Sequence, residues 1–445
     1  MTAVLDEVSL YRSEFERLSA RRREPAWLSA LRQRALERFL KRGFPTTRDE
    51  GWRHTNVAPI ARVAYQAADG ARRGDAVNGA LHRLGFGGAF KGSEIVCVNG
   101  RFAPDLSSFF DVKGVEVKSL AEALSRDGAR LEPELGRIAA DAEHAFVALN
   151  DALFEDGLAL FVAPGVHVEK PIHLLQLSTA DGVPWVSHAR TLVVVGPGSE
   201  CTLVESYGGP RGEAYFTNAV TEIRLDAGAA LDHYTLERQS LAAHHVATLS
   251  VLQGRDARFS NQAVTVGGRL VRNDVGVLLD APGAEAQLLG LFIADGEQHH
   301  DSHTRVDHAK PHGTSREVYK GILNGSARGV FHGCILVRKD AQKTDAHQTN
   351  KNLLLSKDAL VSSTPQLEIL ADDVKCKHGS TTGQLDEAAL FYLRSRGLSL
   401  EAARDLLTYA FASDLVSRIR VAPVRIALET FLHDRLASSP KEAVA

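Results

Sequence analysis

The chain has 445 residues, of which 44% are hydrophobic and 24% charged, and its formal net charge is −3. Those fractions describe a soluble globular protein. The balanced charge, with no long basic block, argues against nucleic acid or an anionic membrane as a partner. No run of about eighteen apolar residues is present to span a bilayer. The opening residues, MTAVLDEVSLYRSEFERL, carry early acids and no apolar stretch of the secretory kind. Four scattered cysteines, Cys97, Cys201, Cys334 and Cys376, form no CxxC pair, so a disulfide framework is not expected and a cytoplasmic location is.

In chain order, the first forty residues predict two helices. One spans Asp6–Arg23, with Val8, Tyr11, Phe15 and Leu18 at helical spacing. Pro25 opens the next, which carries Trp27, Leu28, Leu31, Ala35, Leu36 and Phe39 on its apolar face and stops at Gly43. Short strands and helices follow to about Asn150, the clearest being a strand and turn at Ile95–Gly100, a helix near Ser119–Leu124 and another near Ala139–Asn150.

From Leu158 to Gly383 helical periodicity gives way to short alternating strands. A small turn motif recurs before a strand: Gly198-Ser199, Gly228-Ala229, Asp256-Ala257, Gly283-Ala284, Ser326-Ala327 and Asp358-Ala359. A repeat near thirty residues, with one turn and short strands, indicates a stacked β-solenoid. The wider gap between Gly283 and Ser326 predicts one longer excursion across the His-rich stretch. A solenoid needs caps at its ends, and the helical regions at both ends of the chain are expected to supply them. At the C-terminal side, Glu387–Arg396 stops at Gly397. Ser399 caps a helix striped by Leu406, Leu407, Ala410, Phe411, Leu415 and Ile419, and Pro423 starts a last helix with Ile426, Phe431 and Leu436. The expected organisation is a helical and mixed α/β region over 1–157, a β-helix core over 158–385 and a helical region over 386–445.

The segment Val374-Lys375-Cys376-Lys377-His378-Gly379 carries a thiol and an imidazole two residues apart in a predicted strand. Residues i and i+2 share a face of a strand, roughly 6–7 Å apart, and these two groups suit iron–sulfur clusters, zinc or copper(I). A buried cysteine beside a hydrogen-bonded histidine is the plainer reading of the dipeptide alone. Lys375 and Lys377 would lower the thiol pKa if they lay near it, although on a strand they point to the other face.

The surrounding motifs are long and dense. They are Thr314-Ser315-Arg316-Glu317, the run KTDAHQTNKNLLL at 343–355, Pro365-Gln366-Leu367-Glu368-Ile369, Ala371–Gly379 and Phe391-Tyr392-Leu393-Arg394-Ser395-Arg396-Gly397, with GFPTTRDEGWRHT at 43–55 near the other end. The chain resembles the SufB/SufD family of iron–sulfur cluster assembly proteins over nearly its whole length. SufB-type members carry, in the FYxRxRG segment, a cysteine that receives sulfur and holds the nascent cluster. Here that position is Leu393, which has no lone pair for iron, and the KCKHG segment resembles the SufD version. The resemblance implies a mainly β fold, a right-handed parallel β-helix flanked by helices. It implies a non-enzymatic scaffold subunit that pairs with a SufB-like paralogue, and His378 as an iron ligand facing the partner's cysteine. Cys376 is a weaker candidate for ligand or neighbour. It also implies two copies of a SufC-like ABC-type ATPase docked on about Glu387–Arg420, a transient iron–sulfur cluster shared with the partner, and reduced FAD in the complex, for which no dinucleotide fingerprint is present. Four scattered cysteines cannot ligate a cluster alone, which by itself argues for a shared site.

Other constellations have blander readings. His299, His300, His303, His308 and His312, with Asp301 and Asp307, could form a mononuclear metal site, but alternation splits neighbours between faces and no HExxH is present; hydrogen-bonded structural roles are expected. The polar residues Thr344, Asp345, His347, Gln348, Thr349, Asn350 and Asn352 are expected to form internal ladders. Gly208-Gly209 and Gly267-Gly268 read as turns, and no Walker A sequence is present. Cys97, Cys201 and Cys334 are expected in the core. The remaining alternatives are a stand-alone structural solenoid and a β-helix enzyme acting on polysaccharide.

Overall fold

The computed structural model describes residues 9–68, 74–139, 144–180 and 182–437. Two parallel sheets run the length of a solenoid. One stacks Glu200–Gly208, Ala230–Arg238, Arg258–Thr265, Glu285–Ala294, Thr314–Leu323, Asp345–Leu354 and Lys375–Gly383. The other stacks Arg190–Val195, Phe216–Leu225, His244–Gln253, Leu270–Leu279, His299–His308, Arg328–Val337 and Leu360–Ile369. The chain alternates between the sheets, so each coil contributes one strand to each. Register is continuous, and the same row positions recur inward from coil to coil. Cys201, Leu231, Phe259 and Ala286 form one such row of the first sheet, and Ile223, Val251, Val277, Val306 and Ile335 one of the second. Strand alternation thereby places a continuous apolar core between the sheets.

The turns explain a difference from the sequence expectation. The turns before the first six of these first-sheet strands each contain one residue with positive φ, at Gly198, Gly228, Asp256, Gly283, His312 and Lys343, spaced 27 to 31 residues apart. Ser326 and Asp358 belong instead to the turns before second-sheet strands. The expected long excursion is therefore absent: the His-rich stretch is the ordinary strand His299–His308. Histidine and lysine at left-handed positions do not resemble the Gly-Ala signal that marks the others.

The N-terminal region adds to both sheets. Ser93–Val98 pairs in parallel with Ile172–Leu177, and Val115–Ser119 pairs antiparallel with Leu158–Val162. Phe102, Val115, Val117 and Val166 pack against that end of the interior core. The first described helix is Ser9–Ser19, with Tyr11, Phe15 and Leu18 buried; the expected Asp6 and Val8 lie outside the described residues. Ala26–Arg42 buries the predicted face and packs on Ala145–Leu153. The latter helix starts at its N-cap His144, whose ring accepts the Val147 N–H, later than the Ala139 start expected. Leu120–Leu131 is capped by Ser119.

At the other end the expectation of a cap fails. The helices Leu400–Val416 and Ala422–Ala437 lie along the outer face of the first sheet. Their Ala412, Leu415, Val416, Val424, Leu428 and Leu432, with Ile419 of the link between them, cover Tyr234, Leu236, Val264, Leu289, Leu291 and Ile322. The buried stripe is thus rotated from the one predicted. Leu406, Ala410 and Ile426 are exposed, because small side chains at Ala403, Thr408 and Ala412 are what let the helix approach the sheet. Among the described residues the last coil, Leu360–Ile369 and Lys375–Gly383, has no further coil and no helix over its end, and most of its residues are exposed.

Candidate functional site

The uncovered end of the solenoid holds both predicted ligands. In the strand Asp345–Leu354 burial alternates, with Ala346, Gln348, Asn350 and Asn352 facing inward. The last strand is in register with it: Cys376 beside Ala346, His378 beside Gln348, Ser380 beside Asn350 and Thr382 beside Asn352. Cys376 and His378 therefore continue two adjacent inward rows, as their spacing requires, but without a coil above them. Cys376 is half-buried and His378 exposed. Lys375 and Lys377 are on the opposite face.

The two groups have different surroundings. Cys376 packs against the apolar corner of Ile335, Val337, Ala341, Ala346 and Ala371, with Leu367 and Val374. Burial pushes its thiol above the ordinary range, reinforced by Asp345 and opposed by a backbone hydrogen bond at Ala346. Lys375 and Lys377, on the opposite face of the strand, do not offset this rise. A protonated thiol is a poor ligand and nucleophile. The imidazole of His378 is the more available donor.

Beneath them the interior is polar, then turns apolar. Gln348 Nε2 donates to Glu317 Oε2 at 2.7 Å. Asn350 Oδ1 accepts from Asn352 Nδ2 at 2.5 Å and from Ser363 Oγ at 2.8 Å, and Ser363 meets Ser380 at 2.8 Å. Burial pushes the Glu317 carboxyl up to about 7 against the hydrogen bonds of Gln348 and Thr304. The floor is Leu288, Tyr319 and Phe331. Of the polar run at 344–352, Gln348, Asn350 and Asn352 form the expected internal ladder, directly under the candidate ligand, whereas Asp345, His347 and Thr349 alternate to the opposite face and Thr344 donates to Ala341 O in the preceding turn. Glu317 belongs to the Thr314-Ser315-Arg316-Glu317 motif, which by itself indicates no place at this site; the fold brings it there.

The other clusters do not form sites. His300 and His308 face inward, to Gly267 O at 2.8 Å and Ser315 Oγ at 2.9 Å; His312 sits in a turn. Asp301 and His303 face outward, where Asp301 binds Arg272 Nη1 at 2.9 Å and accepts from Thr55 Oγ1 at 2.5 Å. Arg272 also donates to Gly51 O at 2.6 Å and lies 3.9 Å over the Trp52 ring. The GWRHT segment is therefore a clasp on the outer face of the solenoid, and the His-rich strand holds it. Among the described residues no three His, Cys, Asp or Glu side chains are arranged to hold a metal ion. Cys97 and Cys201 are interior as expected. Cys334 is buried but outward-facing, its Sγ 3.7 Å from Glu368 Oε1, because it falls between the inward Gly333 and Ile335.

A second exposed surface lies on the C-terminal helices. Glu387–Ser395 buries no residue, and Phe391 is 76% and Tyr392 61% exposed, with Leu400, Leu406 and Ile426 also exposed nearby in sequence. Leu393 is half-buried on the same helix. No helix among the described residues is long and apolar enough to cross a membrane.

Comparisons with known proteins agree with this architecture. Residues 177–411 match the family model of the SUF system FeS cluster assembly SufBD core domain, and residues 5–174 that of the SufBD N-terminal region. The chain is similar to an iron–sulfur cluster assembly SufBD family protein of Synechocystis, 33% identical over 88% of each chain. It is 30% identical to the iron–sulfur cluster assembly protein SufD of Escherichia coli, over 87% of this chain and 88% of the relative. It is 22% identical to the iron–sulfur cluster assembly protein SufB of Bacillus subtilis, over 95% of this chain and 93% of the relative. With both family models matched and the greater likeness on the SufD side, this chain belongs to the SufB/SufD family of SUF-system iron–sulfur cluster assembly proteins, and is of the SufD type.

Proposed function

We propose that this protein is a scaffold subunit that builds nascent iron–sulfur clusters jointly with a SufB-like paralogue, and that the uncovered coil is where the two chains meet. The observation that carries this reading is the exposure of inward rows at 360–383: elsewhere in the solenoid such rows are covered by the next coil. A sheet end with free rungs and unpaired backbone groups is a template for a partner's solenoid. His378, exposed on that end, offers an imidazole nitrogen to iron, and Cys376 is its neighbour in the adjacent row. Two side chains cannot complete the ligand set of a cluster, so the partner supplies the rest, including the sulfur-accepting thiol that Leu393 replaces here. The exposed Phe391, Tyr392, Leu400 and Leu406 suit a docking face for an ABC-type ATPase, two copies per complex, whose ATP-driven closure would move the interface.

Native mass spectrometry of the chain drawn anaerobically from its own cells tests the assembly. A particle of this chain, one paralogue and two ATPase subunits supports it; a lone chain or a simple homodimer overturns it. His378→Ala tests the site. The variant is expected to retain the particle and to mature little cluster under anaerobic reconstitution; normal maturation overturns the ligand assignment.

A further inference from the structure

We propose that Gln348, held by Glu317, is a positioning residue for His378: its amide oxygen accepts one ring N–H and so fixes the imidazole tautomer that leaves the other nitrogen free for iron. The functional meaning rests on the reading of His378 as a ligand; the geometry does not. His378, Gln348 and Glu317 occupy three successive rungs of one inward row. Neighbouring strands are about 4.8 Å apart, so side chains on adjacent rungs are within hydrogen-bond reach. A primary amide has one donor end and one acceptor end. The donor end of Gln348 is committed to the rung below, at 2.7 Å from Glu317 Oε2. Its acceptor end, Oε1, is buried and has no donor among the described residues. A buried acceptor without a donor is costly, and the rung above carries an imidazole.

Two further features fit a built arrangement. Gly333 stands across the interior on the other sheet, and a Cβ there would lie 2.2 Å from Gln348 Nε2, so the glycine makes room for the amide. Below Glu317 the next rung of the row is Leu288, which offers no polar atom, so the polar run that starts at His378 is interrupted beneath Glu317. Ligating histidines ordinarily donate their second ring nitrogen to such an acceptor, which fixes ring orientation and tautomer. Here the acceptor comes from the coil underneath, where a partner docked on the open end cannot displace it.

The test is the ring-nitrogen NMR spectrum of the full chain labelled with 15N-histidine at pH 8, with the His378 resonances identified by their loss in His378→Gln. The expected wild-type spectrum has one pyrrole-type and one pyridine-type resonance for His378. In Gln348→Met, which keeps length and removes the acceptor, both should converge towards the averaged positions of a free imidazole. Gly333→Ala, whose added Cβ pushes the amide aside while residue 348 itself is unchanged, should do the same if Gln348→Met folds poorly. Averaged resonances in the wild type, or an unchanged split in both variants, would overturn the proposal. Neither result depends on cluster maturation: a fixed tautomer together with normal clusters in His378→Ala would sink the ligand reading alone.

Discussion

Replacing Arg190 by methionine should loosen the N-terminal region from the solenoid. The guanidinium is fully buried and joins three elements. Its Nη1 donates to Asp151 Oδ1 at 2.7 Å and Asn150 Oδ1 at 3.1 Å on the helix Ala145–Leu153, and its Nη2 pairs with Glu222 of the strand Phe216–Leu225. Methionine fills much of the volume but strands two carboxylates that are each at most 3% exposed. Breaking a buried pair by removing one partner costs about 3–5 kcal/mol. Asp151 keeps Arg38 at 3.4 Å, and Glu222 keeps the N–H groups of Gly136, Ile138 and Ala139 at 2.9–3.0 Å, so the lower part of that range, about 3–4 kcal/mol at pH 7.5, is expected. Burial already raises the Asp151 carboxyl and Arg190 opposes that rise, so without the cation Asp151 takes up a proton more readily and the loss should shrink as pH falls to 5.5. Urea unfolding followed by tryptophan fluorescence measures this, because Trp27, Trp52 and Trp185 all report on the region that Arg190 ties. A loss under about 1 kcal/mol, or one equal at both pH values, would refute the assignment of Arg190 as the tie.

The buried carboxyls predict a fall in stability towards alkaline pH. Burial raises Glu237 to about 8, against backbone hydrogen bonds from Gln239 and Gly267 and the nearby Arg238. The folded state therefore binds more protons than the unfolded one from about pH 4.5 to 8; its contribution is complete below that window and is lost as pH rises through it. Glu237→Gln should raise the unfolding midpoint at pH 8.5 relative to pH 6, and an unchanged pH profile would contradict it. Buried neutral histidines act oppositely: His188, His245 and His300 are lowered to about 3 by burial, so their contribution is present above pH 6.5 and is lost on acidification through that pKa. Triple replacement by glutamine should flatten the acid limb of a denaturation curve between pH 6.5 and 3. Iodoacetamide at pH 7.5 should modify Cys376 slowly, with a rate still rising at pH 9, and should leave Cys201, raised to about 12, untouched; peptide mass mapping would expose fast labelling at Cys376 as inconsistent with its apolar corner. Phe391→Asp should abolish co-purification of the proposed ABC-type ATPase partner while changing chain stability by less than about 0.5 kcal/mol, because the ring is largely exposed; retained binding would remove Phe391 from the proposed docking face.

How much of this could be read from residues depends on which interactions are local. Alternation in a strand is local, so the shared face of Cys376 and His378 follows from their spacing. The small turn pairs are local too, and they announce the solenoid. The same signal misleads where His312 and Lys343 take the left-handed place of glycine, because neighbouring coils, not the residues' own preferences, hold those turns. The C-terminal helices show the limit of periodicity. Leu406 and Ile426 looked like core, yet the sheet selects the flank with Ala412, Val424 and Leu428, where smaller side chains allow close approach. Cys334 was expected inside on the strength of its apolar neighbours. One position of register turns it outward.

The sequence by itself determined the class of fold, the family motifs and the identity of the candidate ligand, since each depends on residue type and short spacing. That the last coil is left uncovered among the described residues, and that the thiol of Cys376 lies in an apolar corner, emerges only in three dimensions. The tertiary structure alone stacks Gln348 and Glu317 beneath His378, 30 and 61 positions earlier in the chain. The physical reason is register. In a solenoid the neighbours that fix an environment are one coil away, and parallel pairing between coils, which no short stretch of sequence encodes, determines which side chains meet.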